Sequence, residues 1–153
     1  MSDHSTAVEL RLPSRLGFEK VAMSTAASLA ELMGFDADRI EDLKTAISET
    51  CINAMEHGNH FNDLLLVYVT FTMEDNTLEV RVRDCGSGVK NANPHKPDIE
   101  RKLHGEEAAR GMGMFLIQSL VDEAEWVRNS PEDSYTRLAI HLPVALQEGS
   151  SGL

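Results

Sequence analysis

Three segments of the chain alternate apolar and polar residues with a period of two. Val67, Val69, Phe71 and Met73 alternate with Tyr68, Thr70 and Thr72. Leu78, Val80 and Val82 alternate with Glu79, Arg81 and Arg83. Thr136, Leu138, Ile140 and Leu142 repeat the pattern near the C-terminus. Successive side chains of a strand point to opposite faces, so each segment reads as a strand with one apolar face and one wet face. Asp75-Asn76 is the turn between the first two. Val8, Leu10 and Leu12, alternating with Glu9 and Arg11 and ended by Pro13, add an N-terminal strand. A sheet patterned this way is mixed or antiparallel and needs a second layer over its apolar face.

Helices supply that layer. Ser14 is placed to cap a helix carrying Phe18, Val21, Ala22, Leu29 and Leu32, with Gly34 as its stop. Asp38 followed by Glu41 resembles a capping box for a second helix running to about Gly58. Between Val89 and Arg110 the periodicity fails, leaving a loop of roughly twenty residues, a length usually tied to function. Gly111 to Val121 reads as a short helix and Glu123 to Arg128 as a strand. The expected fold class is α+β: one domain spanning 1–153, with a core of about 7–143, built as a two-layer α/β sandwich. Its sheet is mixed, mostly antiparallel, with all helices on one face. The Gly/Ser-rich tail after Gln147 reads as frayed.

Composition narrows the partners. The chain has 153 residues, is 42% hydrophobic and carries a formal charge of −11. That charge argues against nonspecific binding to nucleic acid or to an anionic membrane, both of which recruit basic surfaces. No apolar run is long enough to span a bilayer, and Met1-Ser2-Asp3-His4 lacks the layout of a signal peptide. Cys51 and Cys85 make no disulfide framework. A cytoplasmic location is therefore expected.

The second helix carries the densest chemistry. Ile40, Leu43, Ile47, Cys51 and Ala54 share one arc, and Glu49, Asn53, Glu56 and His57 share the opposite one. Glu49 and Asn53 are one turn apart, so a carboxylate and an amide are neighbours. Together they can orient a nucleophile and offer oxygen to Mg²⁺, which takes one or two protein ligands beside phosphates and water. An isolated pair of this kind is most often a solvated helix face. His57, His60, His95 and His104 lack zinc-site spacing. Two glycine-bearing turns follow. Asp84-Cys85-Gly86-Ser87-Gly88 ends a strand, where Asp84 can accept a hydrogen bond from an exocyclic amine and the glycines admit a flat ligand. Arg110-Gly111-Met112-Gly113 opens a helix, where unpaired N–H groups form an anion site and Arg110 adds a forked cation. No P-loop, Rossmann fingerprint or eukaryotic kinase motif occurs.

Taken in order, Ser48 through Gly58, Asp84 through Gly88 and Gly111 through Ile117 resemble the N, G1 and G2 boxes of the GHKL ATPases. The short length and the stretch Arg110-Gly111-Met112-Gly113-Met114-Phe115-Leu116-Ile117 are similar to the bacterial anti-sigma-factor serine/threonine kinases. The resemblance implies a Bergerat-type fold binding ATP and Mg²⁺. Asn53 would ligate the metal and Glu49 would be the general base. Asp84 would read adenine, with Gly86 and Gly88 giving room beside it. Val89–Arg110 would form a lid. Arg110, Gly111 and Gly113 would contact phosphates, and Thr136 would sit near adenine. It also implies a homodimer that binds a sigma factor and phosphorylates a small anti-anti-sigma (STAS) protein. The alternatives are a module that holds nucleotide without transferring phosphate, and a kinase of this fold that binds no sigma factor.

Overall fold

The computed structural model describes residues 5–85, 113–130 and 133–143. Strand β1 (Thr6–Pro13) leads into helix α1 (Glu19–Met33) and helix α2 (Ala37–Asn53), which runs on into a π-helical turn, Ala54–Gly58. Strands β2 (Leu66–Glu74) and β3 (Thr77–Arg83) form a hairpin around Asp75, whose φ of 55° is the left-handed value the turn requires. Residues 113–120 form a helix, α3, followed by β4 (Glu123–Ser130) and β5 (Asp133–His141).

The five strands form one sheet in the order β1-β2-β3-β5-β4, and every pairing among them is antiparallel, so no mixed pairing is seen in the described residues. The period-two pattern sets the face: Val67, Val69, Phe71, Leu78, Val80, Val82, Leu138 and Ile140 are all buried in one cluster with residues of the helices. Each large aliphatic or aromatic side chain so buried contributes about 1.5–3 kcal/mol, which fixes the helical layer on this side. Tyr68, Arg81 and Arg83 face the other way and are exposed.

α2 lays down Leu43, Ile47 and Cys51 as expected, all fully buried. α1 is rotated from the expected arc. It buries Ala22, Ala26, Leu29 and Ala30, while Val21 is 44% and Leu32 81% exposed. Small residues let α1 approach closely where larger ones would hold it off.

Both expected helix starts are corrected. Ser14 does not cap α1. It is fully buried, and its hydroxyl donates to the Leu65 carbonyl (2.6 Å). α1 begins after Phe18, with no side-chain cap. α2 is capped by Asp36, not by an Asp38–Glu41 box: Asp36 is the last extended residue, and its carboxylate accepts from Arg39 N–H (2.8 Å). Asp38 falls in the first turn. The expected stop of α1 is observed. Gly34 takes φ 99°, and its N–H reaches the Ala30 and Glu31 carbonyls.

Candidate functional site

Asn53 is the last α-helical residue before the backbone widens. Beyond it Asn59 N–H donates to the Ala54 carbonyl five residues back (3.0 Å), the bonding of a π turn. Such turns are rare and frequent at functional sites, because the extra residue shifts the side chains that follow it. The expected uniform helix to Gly58 is thus two pieces, and the junction falls on a candidate residue.

Asn53 lines a cavity of about 200 Å³ together with Thr50, Ala54, Val82, Asp84, Met114, Trp126 and Thr136. Three expected site residues from three separate segments therefore line one cavity. Asn53 comes from α2, Asp84 from the two residues past β3, and Thr136 from β5, where it stands opposite both Val82 and Trp126. A larger cavity of about 610 Å³ lies on the outer face of the sheet, lined by side chains such as Tyr68, Arg81 and Arg83, and it takes none of these residues.

Glu49 is half-buried one turn before Asn53. It meets the start of α3: a Cβ built on Gly113 would lie 3.0 Å from Glu49 Oε2. The N-terminal part of α3 and this carboxylate are in contact, and only a glycine leaves that space open. Gly86, Gly88, Arg110 and Gly111, with the expected lid Val89–Arg110, lie outside the described residues.

Two residues went unassigned in the sequence. A Cβ on Gly58 would lie 2.1 Å from Asp84 Oδ2, so the Asp84 carboxylate rests directly on the Gly58 backbone. Asn59 is 1% exposed and fully engaged by groups from three other segments. Gly58 closes the stretch that resembles the N box but reads locally only as a helix end, and Asn59 lies outside that stretch and reads as a turn residue.

The two thiols differ. Burial pushes the Cys51 thiol up to about 12, with nearby Glu19 adding to the effect. Cys85 is partly exposed, and its Sγ–H donates to the Leu66 carbonyl (3.5 Å).

Residues 12–140 match the histidine kinase-like ATPase domain. The chain belongs to that family. Its curated relatives include the serine-protein kinase RsbW of Bacillus velezensis, 30% identical over 138 residues covering 85% of this chain and 83% of the relative. The RsbW of Bacillus cereus is 31% identical over 130 residues, covering 82% and 79%. The solved RsbU and RsbW domains of a Mycobacterium tuberculosis protein align with a TM-score of 0.62 at 19% identity. That alignment covers 90% of this chain and 32% of the other, and it supports the shared α+β fold.

Proposed function

We propose that this chain is an ATP-dependent serine/threonine-protein kinase that works by partner switching: it binds a sigma factor and phosphorylates a small anti-anti-sigma (STAS) protein. The observation carrying this reading is the approach of Glu49 to Gly113, each next in the chain to a residue, Thr50 and Met114, that lines the cavity with Asn53, Asp84 and Thr136. A carboxylate beside a helix start is not needed to hold a nucleotide. It is needed to take a proton from a hydroxyl aligned with a phosphate. The serine-kinase relatives support the same activity.

The donor set fits Mg²⁺-ATP. Asn53 offers a hard amide oxygen on the cavity wall, and Mg²⁺ accepts one such protein ligand beside phosphate and water oxygens. The Gly113 position leaves room that a Cβ would fill. When bound, Mg²⁺ neutralises phosphate charge. Asp84 would accept from the adenine amine, Thr136 would stand beside the ring, and the Gly113 end of α3 would offer N–H groups to phosphate. Arg110, Gly111, Gly86 and Gly88 would complete these contacts. Glu49 accepts the proton of the partner's serine or threonine hydroxyl. The hydroxyl oxygen then bonds to the γ-phosphorus, the bond from that phosphorus to the β–γ bridging oxygen breaks, and ADP leaves. Alignment and charge neutralisation dominate such reactions.

A phosphate added to the STAS partner introduces about two negative charges. Against a kinase of charge −11, that addition favours release, which returns the kinase to its sigma factor. A homodimer in the cytoplasm is the assembly and location proposed. Among the described residues no helix is long and apolar enough to cross a membrane.

The test is transfer of labelled phosphate from ATP to a STAS partner, with calorimetry of ATP binding alongside. Glu49→Ala is expected to lower transfer about a hundredfold or more while keeping nucleotide affinity, the scale of a lost general base. Equal transfer by the variant would remove Glu49 from the mechanism. Absence of transfer by the wild type, with binding intact, would leave a nucleotide-binding module.

A further inference from the structure

The nucleotide reading above places Asp84 at the adenine end of the cavity, and the following rests on that reading. β3 ends at Arg83, whose partners in the ladder are Tyr68 and Tyr135. Asp84 and Cys85 therefore lie beyond the sheet, where no ladder bond fixes the backbone. A carboxylate that must distinguish an amine from a carbonyl needs its own direction fixed to within a fraction of an ångström.

We propose that Gly58 and Asn59 are the positioning pair that sets the direction of Asp84 and hence the choice of base. Asn59 Oδ1 accepts the Cys85 N–H at 2.9 Å. That N–H belongs to the peptide group joining Asp84 to Cys85, so the bond restrains the ψ of Asp84. Asn59 is in turn locked. Its Nδ2 donates to Ser14 Oγ (2.9 Å) and to the Leu66 carbonyl (3.1 Å), and the Ser14 hydroxyl in turn donates to the Leu65 carbonyl. Ser14 is fully buried and Asn59 nearly so. A buried amide with every bond made holds one rotamer, and rotation would leave buried groups unpaired. Gly58 supplies the other half. Its backbone is the floor on which the Asp84 carboxylate lies, 2.1 Å from where a Cβ would stand. One residue thus fixes the backbone after Asp84, and its neighbour fixes where the carboxylate rests. Gly58 ends the π turn and Asn59 follows it directly, so the turn delivers both to this position.

Neither residue touches the nucleotide in this scheme, so the expected signature is selectivity. ITP carries a carbonyl where ATP carries the exocyclic amine. Binding of both nucleotides with Mg²⁺ is measured by calorimetry on the full chain, and thermal stability is measured in parallel. Wild type is expected to prefer ATP. Asn59→Ala and Gly58→Ala are each expected to weaken ATP binding about tenfold, the scale of one lost hydrogen bond to a charged group, and to bring the ATP:ITP ratio toward one. Leu29→Ala, a core truncation in α1, is the control: it lowers the melting temperature and leaves the ratio unchanged. Asn59→Ala and Gly58→Ala proteins that fold and keep the wild-type ratio overturn the positioning role. A wild type that binds neither nucleotide overturns the nucleotide reading itself. If the variants do not fold, amide exchange of the wild type decides. Protection of the Cys85 N–H at the level of the β3 core supports the tether, and exchange as fast as an open loop overturns it.

Discussion

Gly113 and Cys51 illustrate how a single atom sets what a residue can do. Added at Gly113, a methyl group would stand 3.0 Å from Glu49 Oε2, tighter than an ordinary contact. The carboxylate would have to move by a few tenths of an ångström. Alanine is also the better helix former by roughly 0.5–1 kcal/mol. Gly113→Ala is therefore expected to hold or raise the melting temperature while lowering phosphate transfer about tenfold; an unchanged rate would show that Glu49 tolerates displacement. Cys51 is the opposite case, a nucleophile silenced by its surroundings. With burial pushing its thiol up to about 12, almost no thiolate exists near neutral pH. Alkylation of the native protein at pH 8 is expected to spare Cys51 and to label it only on unfolding, as read by mass spectrometry of the digested chain.

At the level of elements, the ends of helices are set by their neighbours. Gly34 closes α1 in the left-handed conformation, Phe35 is buried, and Asp36 is then the last extended residue before α2. Its carboxylate is the group that can reach back to Arg39 N–H. Arg39 turns outward to bond Asp122 (3.0 Å) and the Leu120 carbonyl (3.3 Å), so the start of α2 is tied to the end of α3. Asp36→Ala is expected to cost about 1 kcal/mol in urea unfolding, and Asp38→Ala only a few tenths, because the latter interacts with the helix dipole alone. Equal losses would restore the Asp38 cap.

For the molecule as a whole, the sheet divides the work between its faces. One is packed under the helices and opens at its edge into the candidate site. The other carries ion pairs that cross strands. Arg137 on β5 bonds Glu79 on β3 and Glu123 on β4 (2.9 Å to the latter), and His141 meets the same Glu123 at 2.6 Å. The Arg137 hydrogen bond, then that with His141, holds the Glu123 carboxyl below its ordinary value of 4.5. A depressed carboxylate contributes stability above its unfolded pKa, and that contribution is lost as the pH falls through the folded value. The gap in melting temperature between wild type and Glu123→Gln is thus expected to be present at pH 7 and to close as the pH falls below 4.5 through the lowered pKa of the folded carboxyl. Since the Glu123 side chain is 43% exposed, the gap should be small and should shrink in salt. A gap that persists at low pH would assign the effect to packing.

The amino-acid sequence by itself determined the parts that depend on near neighbours. Alternation at period two named the strands β1, β2, β3 and β5 and their buried faces, because adjacent side chains of a strand must point apart. The apolar arc of α2 and the polar Glu49–Asn53 pair followed from helical spacing in the same way. Only the tertiary structure decided what depends on segments far apart in the chain. It gave Ser14 to the Leu65 carbonyl and to Asn59 instead of to a helix end, and it turned α1 onto its alanines. It also widened α2 after Asn53, seated Asp84 on Gly58 and Glu49 beside Gly113, and clamped Cys85 to Asn59. The physical reason is that a buried polar group must find a partner and a close approach needs an empty Cβ position. Which partner or gap is available is settled only when the layers pack.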